Sequence, residues 1–160
     1  MMLRDATISP CGRYRYDLSR VWVDPGDDKA DTYAVFIMLN PSTADDRHDD
    51  NTIRRCVEFA KFWGMGGLMV VNLFAYRATD PKRLEIVYDP IGPQNDTYIT
   101  EACHTAQVVV AAWGAHPLAV NRAVTVRSLV PDLHYLRLTK GGQPCHPLYL
   151  PKRLTPIPWT

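Results

Sequence analysis

The segment AVFIMLNPSTAD, residues 34–45, constrains this chain more than any other. An apolar run without alternation suits a strand buried on both faces, and such strands belong to parallel sheets covered by helices on either side. The run stops abruptly at Asn40-Pro41-Ser42, so a buried strand delivers an amide and a rigid turn to the carboxyl edge of a sheet, where open α/β folds place ligands. Two further segments aim at the same edge. Asn72 follows GGLMVV, and His146-Pro147 follows the apolar segment LHYLRL after a short Gly-rich loop.

The rest of the chain fills in around that strand. Residues 3–23 read as an antiparallel hairpin, with Tyr14, Tyr16 and Leu18 alternating against Arg13, Arg15 and Asp17 in a half-exposed edge pattern. A central strand at 33–39 leads to a helix in which Ile53, Cys56, Val57 and Ala60 fall at helical spacing, Asp50 or Asn51 caps the start and Gly64 ends it. The next strand spans 68–74. A long connection, AYRATDPKRLEIVYDPIGPQ, then lies over the site before a helix that opens near Pro93. AQVVVAAWG gives a third buried strand, 116–130 a third helix and 133–138 a fourth strand. Right-handed crossovers then predict a three-layer α/β/α sandwich with a four-stranded parallel sheet and an N-terminal β-hairpin. The expected organisation is one domain over 1–160, with the hairpin and turn in 1–31 and the core in 32–151.

At 160 residues the chain can bury roughly 70% of its unfolded surface without staples. Its 18 Lys+Arg against 17 Asp+Glu leave a net charge of +1, which provides no global attraction to nucleic acid or anionic lipid. Any nucleic-acid contact must come from a local patch. The cysteines at 11, 56, 103 and 145 stand alone, without C-x-x-C, as in a reduced cytoplasmic chain where Cys56 and Cys103 are small apolar fillers. The opening MMLRDATISPCGRYRY has no apolar signal region, and no run approaches the length of a membrane span, so no membrane partner is expected.

The motif order carries a resemblance. Asn40-Pro41-Ser42, Asn72, Trp113-Gly114 and His146-Pro147, each after a successive strand, resemble the uracil-DNA glycosylase superfamily in its mismatch-type form, which has asparagine in the first motif. The whole chain also resembles a bacterial and phage family known as a domain of unknown function, through LNPSTAD, NLFAYRATDP, PIGPQND, AWG and HPLYL. The superfamily resemblance implies hydrolysis of the N-glycosidic bond of a modified or damaged base, in DNA ahead of RNA or in a nucleotide, by a monomer without a cofactor. It implies that His146 stabilises the leaving base, Asn40 holds the water, and Asn72 reads the Watson–Crick edge, with Pro41, Ser42, Phe74, Tyr76 and Trp113 around the substrate.

Two departures qualify that expectation. Leu148 stands where the superfamily has a small hydroxyl residue, so Leu148 and Tyr149 read either as an apolar wedge beside the base or as core packing. The run Asp45 to Asp50 places carboxylates beside the expected groove, as helix-capping charges or, with His48, as a divalent-metal site at Asp45 and Asp49. Arg77, Lys140, Lys152 and Arg153 are the expected nucleic-acid backbone contacts. Two alternatives stay open: a catalytically silent module that binds a modified base or nucleotide, and a metal-dependent nucleotide hydrolase or transferase.

Overall fold

The computed structural model describes residues 2–160. Its strands are β1 (Leu3–Ile8), β2 (Arg15–Val21), β3 (Tyr33–Met38), β4 (Gly67–Asn72), β5 (Val108–Ala111), β6 (Leu133–Tyr135) and β7 (Ile157–Pro158). Its helices are α1 (Asn51–Phe62), α2 (Asn95–His104) and α3 (Pro117–Leu129). All strands join one seven-stranded sheet in the order β1-β2-β4-β3-β5-β6-β7.

This corrects the expected four-stranded parallel sheet with a separate hairpin. β4, β3, β5 and β6 do pair in parallel, but β2 adds to β4 antiparallel and β7 adds to β6 antiparallel, so the sheet is mixed. Two causes were hidden in the sequence. The hairpin docks through Leu18, which is fully buried opposite Val70, so β2 is an interior strand. The tail LTPIPWT carries two prolines, which argue against a central strand but are tolerated at a sheet edge, where β7 lies. β6 is also shorter than expected, because beyond Tyr135 the chain turns out into a loop bridged at Leu138 and Pro144.

β3 sits at the centre with helices covering both faces. Ala34, Phe36 and Met38 pack with Ile53, Cys56 and Phe59 of α1, whereas Val35 and Ile37 pack with Ile99 of α2 and Ala119, Ala123 and Val126 of α3. An unbroken apolar run is the consequence of that two-sided burial. Asp50 caps α1 by accepting from the Ile53 N–H at 2.8 Å, and Gly64 takes a positive φ of 78° just beyond its end.

A bulge in β2 decides which way Arg15 points. Thr7 pairs with Asp17 but the next residue, Ile8, pairs with Arg15, so Tyr16 is an extra residue in the ladder. An inserted residue reverses the inward and outward alternation. Tyr16 therefore stacks on Tyr98 of α2 at 4.9 Å, and Arg15 turns to the α1 side, where it donates to the Ala44 carbonyl at 2.9 Å. The alternation read from the sequence, with Arg15 on a solvated face, fails at this bulge: Arg15 is 2% exposed.

No helix among the described residues is long and apolar enough to cross a membrane. The four cysteines are free, and burial pushes the Cys56 and Cys103 thiols up, the latter to about 12.

Candidate functional site

The chain leaves β3 toward α1 on one face and β5 toward α3 on the other, which opens a crevice at the carboxyl ends of these neighbouring strands. A cavity of about 280 Å³ occupies it, on the α1 side of the sheet. Leu39, Asn40 and Ser42 enter from the loop after β3, Asn72 from the end of β4, Trp113 to His116 from the loop after β5, and His146 from the loop after β6. Arg15, Asp50, Thr52 and Pro81 complete the polar and loop lining. A larger groove of about 370 Å³ lies at the amino ends of β5 and β6, away from these groups.

Asn72 is the most informative side chain. It is 1% exposed, and neither its Oδ1 nor its Nδ2 has a hydrogen-bond partner among the described residues. A buried amide left unmatched costs about 1–3 kcal/mol per group, and here a donor and an acceptor stand side by side without a protein partner. The backbone behind it is held firmly. Asn95 Nδ2 donates to the Asn72 and Leu73 carbonyls at 2.9 and 3.1 Å, and Arg122 Nε donates to the Leu73 carbonyl at 2.8 Å. The PIGPQND motif thus supplies support for the site through Asn95.

Asn40 has a different commitment. Its Nδ2 donates to the Pro41 and Ala78 carbonyls at 3.1 and 2.8 Å, which ties the long loop after β4 to the end of β3. Both amide hydrogens are used, so Oδ1 is the group left to accept from a water or ligand.

His146 precedes Pro147, and its Nδ1 accepts from the Leu148 N–H at 3.2 Å, capping the short 3-10 turn Pro147–Tyr149. In the neutral ring the proton then resides on Nε2, which becomes a donor. Burial pushes the His146 pKa below 6.5, partly opposed by the Asp50 carboxylate, and the neutral form is favoured at pH 7. His116-Pro117 repeats this arrangement at the start of α3, with Nδ1 accepting from the Leu118 N–H at 3.2 Å. Gly114, between these segments, has a φ of 77° and donates to the Pro144 carbonyl at 2.8 Å, joining the two histidine loops.

The cavity therefore gathers Asn40, Ser42, Asn72, Trp113 and His146 as expected. It leaves out the others. Pro41 is buried beneath the loop, and its carbonyl accepts from the Ala78 N–H at 3.0 Å. Phe74 packs in the α2 and α3 core, and Tyr76 packs against that same core and edge-on to Tyr14 at 6.0 Å, where it bridges the chain just before β2. Leu148 is half-buried outside the cavity and Tyr149 is 86% exposed beside His146 at 6.4 Å between rings. Arg77, Lys140, Lys152 and Arg153 line none of it; Arg153 lies over the Phe62 ring at 5.9 Å. The reading from sequence missed Arg15, Thr52 and His116 and took Asp50 as a cap or as part of the acidic run, not as part of this lining. The repeated His-Pro step after a strand was the available signal for His116.

The acidic run is used by the fold. Asp45 Oδ1 accepts from the Arg47 and His48 N–H groups at 2.8 Å each, and these bonds hold its carboxyl down at about 2. Asp49 pairs with Arg20 at 2.8 Å and with Arg4 at 3.7 Å. Among the described residues no three His, Cys, Asp or Glu side chains are placed to hold a metal ion, so Asp45, His48 and Asp49 do not form the site considered from sequence.

No curated protein and no solved structure matches the chain. The chain belongs to the family described as protein of unknown function (DUF1643), whose match, residues 15–148, takes in every residue that lines the cavity.

Proposed function

We propose that this cavity holds a nucleobase and that the protein hydrolyses the N-glycosidic bond joining a modified or damaged base to its sugar, in DNA or in a nucleotide. The observation that carries this reading is Asn72, whose unmatched donor and acceptor suit the edge of a pyrimidine. A volume of about 280 Å³ lies at the small end for ligand pockets and suits a small ligand such as a nucleobase or a mononucleotide.

The chemistry follows from the other residues. As the bond between C1′ and the ring nitrogen breaks, its electron pair leaves with the base and negative charge grows on the base carbonyl. His146 Nε2–H is the donor for that oxygen, and such a preorganised donor is worth about 10²–10³ in rate. Asn40 Oδ1 orients the water that attacks C1′. Asp50, the carboxylate in the lining, is available to take the water's proton.

A second reading, a module that holds a base or nucleotide without cleaving it, is favoured by Asn40 itself. An amide accepts no proton, and both of its hydrogens are committed to backbone carbonyls. The two readings separate in one experiment: release of free base, read by mass spectrometry, from single- and double-stranded DNA, RNA and nucleotide pools carrying uracil, hypoxanthine and modified pyrimidines. The expected result is release from one pool, lowered about 10²-fold or more by His146→Ala and also lowered by Asn40→Ala. Release unaffected by His146→Ala contradicts the hydrolytic assignment. No release, with one pool retained on the protein, favours the binding module.

The His146 environment also predicts a pH response. Its folded pKa lies below 6.5, so between that value and 6.5 the unfolded chain binds more protons than the folded one. Stability is then expected to be fully present above pH 6.5 and to fall as pH drops through that window, as the ring gains a proton and Nδ1 can no longer accept from Leu148. Thermal unfolding from about pH 8 to pH 5 should show a smaller acid loss for His146→Gln than for the wild type. Parallel curves would show that His146 is already equally protonated in both states.

A further inference from the structure

Among the described residues three arginines are buried, and two of them pair with a carboxylate. Arg20 pairs with Asp49 and donates to the carbonyls of Asp5, Ser19, Asp45 and His48. Arg122 pairs with Asp96 and donates to the Leu73 carbonyl. Arg15, five residues before Arg20 on the same strand, is different. It makes one side-chain hydrogen bond, Nη1 to the Ala44 carbonyl at 2.9 Å, its Nε is buried without a partner, and no carboxylate among the described residues pairs with it. Burial pushes its pKa down to about 10, with Asp50 supporting the charge from beyond salt-bridge distance, so the guanidinium remains charged at neutral pH.

A buried charge without a counterion is costly, and Arg15 is placed there by a specific device, the β2 bulge that turns it from the α2 side into the cavity lining. We propose that Arg15 makes this cavity an anion-binding subsite and that the ligand is a mononucleotide, whose phosphate Arg15 takes. This rests on the nucleobase reading for the other end of the ligand. Guanidinium forks match phosphate oxygens, and Nε is one of the donors used in such pairs.

A mononucleotide fits better than a polymer on three grounds. The cation is recessed at 2% exposure, out of reach of a phosphodiester running along the surface. The half-buried Arg77 and the exposed Lys140, Lys152 and Arg153 line none of the cavity. Asp45, Asp46 and Asp49 lead into Asp50 at the cavity wall, which disfavours a polyanion more than a single phosphate.

The test is calorimetric titration of the full chain with inorganic phosphate, the common nucleosides, their 5′-monophosphates and oligonucleotides of the same bases. The expected result is that a monophosphate binds about tenfold or more tightly than its nucleoside, and that Arg15→Met removes this advantage and leaves nucleoside binding in place. Arg15→Met should also raise Tm, because it removes an unpaired buried charge, which separates lost binding from lost folding. Asn72→Leu should weaken nucleoside and monophosphate alike and spare inorganic phosphate. If that variant binds every probe as the wild type does while Arg15→Met still loses phosphate, the base reading fails and the anion subsite stands. Equal affinity for nucleoside and monophosphate, phosphate binding indifferent to Arg15→Met, or tighter binding of oligonucleotides than of mononucleotides would overturn the inference.

Discussion

Asn72→Leu is expected to stabilise the protein and weaken nucleoside binding together. Leucine is close in shape to asparagine, so the substitution removes two unmatched buried polar atoms without opening a cavity. Each such atom costs about 1–3 kcal/mol when no water or partner reaches it, and the net gain expected is about 1–3 kcal/mol after strain. For a domain of this size that raises Tm by about 2–4 °C per kcal/mol. Binding moves the other way, by about a hundredfold or more, because the base loses the donor and the acceptor that read its edge. Ordinary core asparagines behave oppositely. Asn95, whose Nδ2 serves two carbonyls, should lose stability when changed to leucine. Thermal unfolding of the two variants side by side checks this, and a destabilised Asn72→Leu protein would mean that the amide has a structural partner.

The second large effect is expected at Arg20. Arg20→Met leaves the Asp49 carboxylate, 12% exposed, without its main partner and strips a donor from four backbone carbonyls. Breaking a buried pair from one side costs about 3–5 kcal/mol. Tm should fall by about 10 °C. The loop from Asp45 to Asp49 is held by this arginine and leads directly into Asp50, so ligand affinity should weaken as well. The comparison with Arg15→Met is the instructive one: the same exchange, five residues apart on one strand, is expected to change stability in opposite directions. Loss of equal size at both positions would show that Arg15 is also structurally paired.

Local interactions were legible in the sequence, and distant ones were not. β3 could be read because burial on both faces writes an unbroken apolar run, and α1 because Asp50, the Ile53 to Ala60 spacing and Gly64 mark its start, face and end. Asn40, Asn72 and His146 could be placed at one edge because each comes after a strand of the same direction. Arg15 could not, since a one-residue bulge reverses the alternation and leaves no mark in hydrophobic pattern. β7 was invisible because its two residues take their edge position from tertiary contacts: Trp159, next to it, packs on Trp113 at 5.7 Å and lies under Arg127 at 3.8 Å. Phe74 and Tyr76 looked suited to a stacking wall from their place in NLFAYR, but the chain turns after Asn72, burying Phe74 in the α2 and α3 core and setting Tyr76 against Tyr14. The acidic run suggested a metal because carboxylate spacing alone does not reveal that the neighbouring backbone amides and Arg20 already satisfy it.

Asn72 is the group proposed to read the ligand. The most direct measurement is an NMR titration that follows side-chain amide resonances of ¹⁵N-labelled protein as the nucleosides and their 5′-monophosphates are added. The expected result is a saturable shift of the Asn72 Nδ2 pair, with an accompanying shift at Asn95, which bonds the same backbone, and none at the exposed Asn121 on the surface of α3. Saturable shifts confined to the surface, around Tyr149 or Lys140, with Asn72 unmoved, would contradict this reading.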